Sequence, residues 1–189
     1  MDGGAGIDTA DFSTASGAVT VDLNFPTPQN TIGAGIDTLT SIEKLIGSAF
    51  ADTLKGDANA NSLSGGGGDD VLIGGGGSDT LTGGAGADHF VYNAISEGLD
   101  HIVDFAPGTD VLDFKSSAFG NLTTGTLSAA NFDSNATGTA THAGPEFIYN
   151  TTSHVLSFDA DGTGAAVAIQ MAHLENGVPL ANTNIHIVA

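Results

Sequence analysis

Cysteine is absent from this 189-residue chain, which excludes a disulfide framework and any thiolate metal site. Arginine is absent as well, so Lys44, Lys55 and Lys115 face 22 acidic residues and the formal net charge is −19. A nucleic-acid partner requires cations that neutralise phosphates, so this composition argues against one. An anionic membrane surface or an acidic polysaccharide would be repelled for the same reason.

Several functional signals are also missing. No apolar run is long enough to cross a membrane, so membrane insertion is not expected, and no signal peptide is visible. The motifs His-Glu-x-x-His and Gly-x-Ser-x-Gly are absent, and the six histidines are scattered without metal-ligand spacing. The chain is therefore not expected to be an enzyme. It opens inside a glycine-rich repeat, so we interpret Met1 as a start placed on a fragment of a larger parent protein.

Glycine is abundant, with 28 residues, and much of it follows a period of nine. Five segments align from Ile46 to Phe90: IGSAFADTL, KGDANANSL, SGGGGDDVL, IGGGGSDTL and TGGAGADHF. The second column is always glycine, the seventh is Asp or Asn, and the ninth is Leu or Phe. Degenerate copies lie upstream at 2–10 and 31–39. A repeat this regular predicts stacked, nearly identical structural units.

Each column of the repeat has a physical role. The Gly-Gly-x-Gly stretch supplies positive φ angles and lets backbone carbonyls crowd together. The acidic column adds one hard oxygen ligand per unit, and the ninth residue points into a shared core. Two units make one coil of eighteen residues, with a turn at each edge and two parallel sheets between the turns. Calcium accepts six to eight oxygens in flexible geometry, so this arrangement favours calcium over magnesium or zinc.

The repeat has the form G-G-x-G-x-D-x-U-x, and the chain resembles the RTX (repeats-in-toxin, hemolysin-type) calcium-binding family. The resemblance implies an all-β fold, a right-handed parallel β-roll or β-solenoid with a C-terminal β-rich capping region. We expect the roll over 1–95, with regular repeats at 46–90 and irregular coils upstream, and the cap over 96–189. We further expect the cap to cover Val71, Ile73 and Val91 on the outer face of one sheet; a neighbouring domain of the parent protein is the alternative.

The resemblance also implies several calcium ions between successive turns of one edge. One site would use Asp70 and Asp88, with Asp52 completing another above Asp70. On the opposite edge Asp79 would pair with Asn61, helped by Asp57, and Asp100 would cap that edge. Backbone carbonyls would come from the turns that contain Gly65, Gly66, Gly68, Gly74, Gly75, Gly77, Gly83, Gly84 and Gly86.

Several residues and segments have more than one interpretation. Asp8 and Asp37 are either calcium ligands or ordinary turn aspartates. The motif Asp159-Ala-Asp-Gly is similar to the start of an EF-hand loop, but a hairpin turn is favoured because the later ligands are missing. The final segment, Asn184–Ala189, is a tail read by the type I secretion machinery, an edge strand, or both.

The function that the resemblance implies is a calcium-binding module that folds on calcium binding outside the cell. It would serve as the C-terminal folding and secretion module of a bacterial protein exported by type I secretion, behind an N-terminal passenger domain. The alternative is a calcium-dependent carbohydrate-binding or adhesin module, for which a neutral glycan would be the partner.

Overall fold

The computed structural model of the chain is almost entirely β-structure. It describes residues 1–29 and 31–189 in full and residue 30 by its backbone alone. Eighteen β-strands and three short 3-10 helices (Ile95–Glu97, Ala129–Asn131 and Asn182–Asn184) make up the described secondary structure. None of the described helices is long and apolar enough to span a membrane.

Two sheets of parallel strands form the N-terminal part, and the chain alternates between them. One strand per coil lies in the first sheet, in the order β1 (Thr9–Asp11), β5 (Lys44–Ile46), β7 (Ser62–Gly67), β9 (Thr80–Ala85) and β11 (Asp100–Ile102). The second sheet contains β2 (Thr20–Asp22), β6 (Thr53–Lys55), β8 (Val71–Ile73), β10 (His89–Tyr92) and β12 (Val111–Lys115). This alternation is the parallel β-roll that the nine-residue period predicts.

The strand register confirms that one coil contains two repeats. Leu54 pairs with Leu72, and Leu63 pairs with Leu81, so equivalent residues are eighteen positions apart. The ninth-column residues Leu54, Leu63, Leu72, Leu81 and Phe90 are at most 1% exposed and pack between the two sheets. Each unit has one such residue, so the core forms only when coils stack.

One irregular coil contains a hairpin instead of a further repeat. Strands β3 (Gln29–Ile32) and β4 (Gly35–Asp37) pair antiparallel in a separate two-stranded sheet. Thr9 pairs directly with Lys44, so this coil is about twice as long as a regular one and the hairpin takes up the excess. The segment 31–39 therefore does not form a coil of its own, although its sequence resembles the repeat.

The C-terminal residues join the roll by continuing its sheets. Strand β17 (Ile169–Leu174) pairs parallel with β11, and β18 (Ile185–Val188) pairs parallel with β12. The first sheet then continues through β16 (Val155–Asp159), β15 (Glu146–Asn150) and β14 (Phe132–Asn135), and β13 (Gly125–Thr126) borders β18. The strand pairing is continuous across residue 95, because β11 pairs with β9 and β12 pairs with β10, so the domain division that the sequence suggests there remains a proposal. In the structure, the cap denotes the residues that follow β12.

The expected position of this cap was wrong. It does not join the roll over Val71, Ile73 and Val91, but at the end, on strands β11 and β12. The physical reason is hydrogen bonding, because the last strand of each sheet presents a row of unpaired N–H and C=O groups. Pairing with β17 and β18 satisfies both rows, whereas the outer face offers only three half-buried apolar side chains.

Aromatic packing ties the cap to the roll. Phe114 lies on β12, and its ring centroid is 4.4 Å from that of Phe147 on β15. Phe119 and Phe158 extend this cluster, with their ring centroids 5.2 Å apart. All four rings are at most 1% exposed, so the cap and the last coil share one apolar core.

Removal of one core leucine is expected to destabilise the whole roll. Leu72→Ala should lower the free energy of unfolding by about 2–5 kcal/mol, because it leaves a cavity between the two sheets. Urea unfolding in saturating calcium measures the change. The control is Val167→Ala, at a side chain that is 86% exposed. Equal effects of the two substitutions would contradict the assignment of Leu72 to the core.

Candidate metal centre

Residues at the start of each roll strand stack in two columns, one at each edge where the chain passes between the sheets. The Asp79 column precedes or begins the strands of the first sheet and consists of Asp8, Glu43, Asn61, Asp79 and Asp100. The Asp70 column precedes the strands of the second sheet and consists of Val19, Asp52, Asp70, Asp88 and Asp110.

A hydrogen-bond ladder runs along the Asp70 column. The backbone N–H of Asp52 donates to Oδ1 of Asp70 at 2.8 Å, and that of Asp70 donates to Oδ1 of Asp88 at 3.0 Å. The N–H of Asp88 donates to Oδ1 of Asp110 at 3.1 Å, and the N–H of Val19 begins the ladder on Asp52 at 2.7 Å. Each carboxylate therefore holds the preceding coil by its backbone.

The Asp79 column follows the same rule. The N–H of Asn61 donates to Oδ1 of Asp79 at 2.7 Å, and that of Asp79 donates to Oδ1 of Asp100 at 3.0 Å. At the other end the N–H of Asp8 donates to Oε2 of Glu43 at 2.9 Å. The ladder on this edge is interrupted at Asn61, because its Oδ1 accepts the N–H of Asp57 in its own turn, at 2.7 Å, instead of an N–H of the preceding coil.

The second carboxylate oxygen of the central aspartates has a different environment. Oδ2 of Asp70, Asp79 and Asp88 is buried and has no hydrogen-bond partner among the described residues. Each of these oxygens points at the repeat's invariant glycine, where an added Cβ would lie 2.1 to 2.3 Å from it. The glycines are Gly65 for Asp70, Gly74 for Asp79 and Gly83 for Asp88. A buried carboxylate oxygen without a hydrogen-bond partner costs free energy, and a bound cation would offset that cost.

Backbone carbonyl oxygens of one turn lie against the glycines of the next turn on the same edge. A Cβ on Gly84 would lie 2.2 Å from the carbonyl oxygen of Gly66, and one on Gly86 would lie 2.0 Å from that of Gly68. On the other edge a Cβ on Gly75 would lie 2.2 Å from the carbonyl oxygen of Asp57. Gly84 has φ +103°, so the turn needs glycine both for its backbone conformation and for this close approach. Carboxylate and carbonyl oxygens are the ligands that calcium prefers.

Burial also changes the acidity of the column residues. It raises the pKa of Asp70 to about 7, and the charges of Asp88 and Asp52 add to the effect. Burial likewise raises the pKa of Asp79 to about 6 and that of Asp100 to about 8. Without a cation these carboxyls therefore retain protons to a higher pH than an ordinary aspartate does, and a bound cation would compete with the protons.

Most of the predicted ligands lie in or beside the two columns, but two differ. The carboxylate of Asp57 faces its own turn, where its oxygens accept hydrogen bonds from the N–H and side-chain amide of Asn59 at 2.8 and 3.0 Å. Asp37 lies on β4, outside both columns, and Oδ2 accepts a hydrogen bond from the Thr31 hydroxyl at 2.8 Å. Asp8 does lie in the Asp79 column, and its Oδ2 is buried without a partner among the described residues.

The structure adds three acidic residues that the sequence analysis missed. Glu43 and Asp110 occupy column positions, and Asp104 accepts hydrogen bonds from the N–H groups of Gly83 and Gly84, both at 2.9 Å. A signal for Asp110 was present, because residues 108–112 read Gly-Thr-Asp-Val-Leu and keep the Gly-x-Asp-x-Leu core of the repeat. The longer spacing from Asp88 hid it from a search with a fixed period.

Comparison with known families agrees with these columns. The model of the RTX calcium-binding nonapeptide repeat matches in four copies, over residues 37–72, 46–81 and 64–94. Residues 37–94 therefore carry RTX-type calcium-binding nonapeptide repeats. The matched region contains Asp52, Asn61, Asp70, Asp79 and Asp88, so the RTX repeats account for the regular part of both columns.

Among solved structures, the chain is similar to the AlgE6R3 subunit of the mannuronan C5-epimerase from Azotobacter vinelandii. The sequence identity is 23%, the TM-score is 0.24, and the alignment covers 74% of this chain and 80% of that one. No curated protein matches the chain.

The close approach of the turns can be tested with two glycines. Gly84→Ala and Gly144→Ala both place a side chain at positive φ, +103° and +94°, but nothing lies within 4 Å of a Cβ on Gly144. We expect Gly84→Ala to cost about 1–3 kcal/mol more of unfolding free energy in saturating calcium, because its methyl group meets the Gly66 carbonyl. Equal losses for the two variants would contradict the stacked-turn geometry.

The raised pKa values of the column aspartates predict the pH dependence of the calcium-free protein's stability. Asp70, Asp79 and Asp100 hold protons in the folded state up to about pH 7, 6 and 8, above their ordinary value of 3.8. The folded state therefore binds more protons, so its stability should fall as pH rises from about 4 to 8. Circular dichroism in calcium-depleted buffers measures the folded fraction. A folded fraction that rises with pH over this range would contradict the prediction.

Proposed function

We propose that this calcium-binding chain folds on calcium binding outside the cell and forms the rigid C-terminal module of a larger secreted protein. The observation that carries the proposal is the row of buried, unpartnered Oδ2 atoms of Asp70, Asp79 and Asp88. These carboxylates lie beside glycine turns whose carbonyl oxygens have no side chains to shield them. The donor set consists of hard oxygens only, and it fits calcium.

The residues that would hold calcium follow from the two columns. On one edge they are Asp70 and Asp88, with carbonyl oxygens from the turns that contain Gly66, Gly68 and Gly84. On the other edge Asp79 would bind together with the carbonyl oxygen of Asp57. When bound, calcium supplies the positive charge that these stacked carboxylates lack. The protein holds the carboxylates in register through the hydrogen bonds from backbone N–H groups to their Oδ1 atoms.

Charge and chain entropy explain why folding would depend on calcium. The chain has a net charge of −19 and contains 28 glycines, each of which loses much conformational freedom in a fixed turn. Extracellular calcium sites of dissociation constant roughly 0.1–1 mM are empty in the cytosol and filled at millimolar calcium outside. Mass action would then add about 1–2 kcal/mol per site, and stacking couples the sites along the roll.

The C-terminal tail supports an order of events in export. Ile185 and Ile187 are at most 2% exposed, and β18 is hydrogen-bonded to β12. If the type I secretion machinery reads this tail, as the resemblance implies, it must do so before the roll and cap have formed. A chain that stays unfolded at cytosolic calcium and folds outside meets this requirement. The N-terminal passenger domain remains part of the same proposal.

The carbohydrate-binding alternative, with a neutral glycan as partner, stays a prediction. No contact among the described residues favours it over the folding module.

The proposal is tested by circular dichroism during a calcium titration of the calcium-free chain, with magnesium as the control ion. We expect a cooperative gain of β-structure at sub-millimolar to millimolar calcium and none with magnesium. A β spectrum that is unchanged without calcium would overturn calcium-coupled folding.

A matched pair of variants tests the columns themselves. Asp88→Asn keeps the shape and the Oδ1 acceptor but removes the charge at the unpartnered oxygen. It should raise the calcium midpoint about tenfold, because one site contributes about 1–2 kcal/mol. The control is Asp11→Asn, because Asp11 is exposed and its Oδ1 accepts the N–H of Ser13 within the same loop, at 2.8 Å. Equal midpoints for the two variants would argue against Asp88 as a ligand.

A further inference from the structure

Three metal-ligating side chains meet in the cap, far along the chain from the repeats. Asp133 lies on β14, Glu146 is the first residue of β15, and His142 lies in the loop between these strands. Nδ1 of His142 is 3.1 Å from Oε2 of Glu146 and 3.4 Å from Oδ2 of Asp133. One ligand atom from each residue lies within 4.8 Å of the other two.

The charges of this cluster are not balanced. The side chains of Glu146 and Asp133 are 1% and 12% exposed, so water screens neither carboxylate well. Among the described residues, both carboxylates form ion pairs with His142, and a protonated imidazole carries a single positive charge. Asp133 also accepts hydrogen bonds from the N–H and the hydroxyl of Thr141, at 2.6 and 2.8 Å, but these donors are neutral. With both carboxyls ionised, one imidazolium compensates only one of the two negative charges, and the other is costly in a poorly solvated site.

One oxygen of the cluster is also unpartnered. Oε1 of Glu146 is buried and accepts no hydrogen bond from the described residues. It faces the space beside Gly162, where an added Cβ would lie 3.0 Å from this oxygen and 2.7 Å from the carbonyl oxygen of Gly144. The carbonyl oxygen of His142 lies at the same place, 2.1 Å from that Cβ position. Three oxygens therefore surround the Cβ position of Gly162; the carbonyl oxygen of His142 accepts the N–H of Thr163 at 2.9 Å, whereas Oε1 of Glu146 has no donor among the described residues.

A second cluster of histidine and carboxylate side chains, around Glu175, serves as a comparison. His101 and His173 pair across β11 and β17, and Nδ1 of each contacts Oε1 of Glu175, at 3.1 Å for His173. Two imidazoles face one carboxylate there, and all three side chains are 27–41% exposed. The ligand atoms of that cluster also lie close enough to hold a metal ion, but none of them is buried without a hydrogen-bond partner.

We propose that Asp133, His142 and Glu146 bind a transition-metal ion of the zinc class. An imidazole nitrogen with two carboxylate oxygens is a donor set for such ions, whereas calcium and magnesium prefer oxygen donors alone. The ion would neutralise the two carboxylates and link β14, β15 and the loop between them. The site is independent of the calcium columns, because it shares no residue with them and lies in the cap.

The test uses the full chain in saturating calcium, so that the columns are occupied by their own ion. Zinc is titrated by calorimetry, and cobalt is used as a substitute whose visible absorption reports imidazole and carboxylate ligation. We expect His142→Ala and Glu146→Gln to lower the zinc affinity about a hundredfold or more. His173→Ala is the matched control, since it removes a histidine from the Glu175 cluster and should leave the zinc affinity of the His142 site unchanged.

Two controls keep folding separate from ligation. Far-UV circular dichroism in calcium should be the same for all variants, and His142, with a side chain 43% exposed, can be replaced with little risk to the core. Should Glu146→Gln fail to fold, the His142→Ala result decides alone. The proposal is overturned if His142→Ala keeps the zinc affinity, if only His173→Ala loses it, or if millimolar calcium displaces the zinc.

Discussion

A hydrogen bond from one coil's backbone to the next coil's buried carboxylate is the constraint on which this structure depends. Asp70 and Asp79 give one oxygen to that bond and leave the other facing the glycine turns. The first oxygen fixes the spacing of the coils, and the second concentrates negative charge inside them. The carboxylate that accepts the ordering hydrogen bond also carries the charge that a bound cation would neutralise, and this links stacking to cation binding in the proposed function.

The regular part of this arrangement could be predicted from the sequence because every unit repeats the same local solution. Glycine, aspartate and leucine at fixed positions give the turn, the buried carboxylate and the core residue. Two nine-residue periods give the coil of eighteen residues. The columns follow without knowledge of any distant contact. Where the spacing changes, as between Asp88 and Asp110, a fixed period no longer finds the residue although its local motif persists.

The remainder depends on contacts that have no period. The hairpin of β3 and β4 resembles the repeat in sequence, yet Thr9 pairs across it with Lys44. The cap could be recognised as β-rich, but its attachment depends on which strands need hydrogen-bond partners. Likewise, Asp133, His142 and Glu146 meet only because the loop between β14 and β15 folds back on the sheet. Their spacing matches no ligand motif, so nothing in the sequence distinguishes His142 from the other five histidines.

The pairing of Leu54 with Leu72 has a consequence for how such a chain can change in length. Insertion or deletion of eighteen residues within the regular coils leaves every later strand in its own sheet and every aspartate on its own edge. A change of nine residues moves all later strands to the opposite sheet, and β17 and β18 would then approach with their partners exchanged. Evolution of a roll with fixed ends should therefore proceed in steps of two repeats.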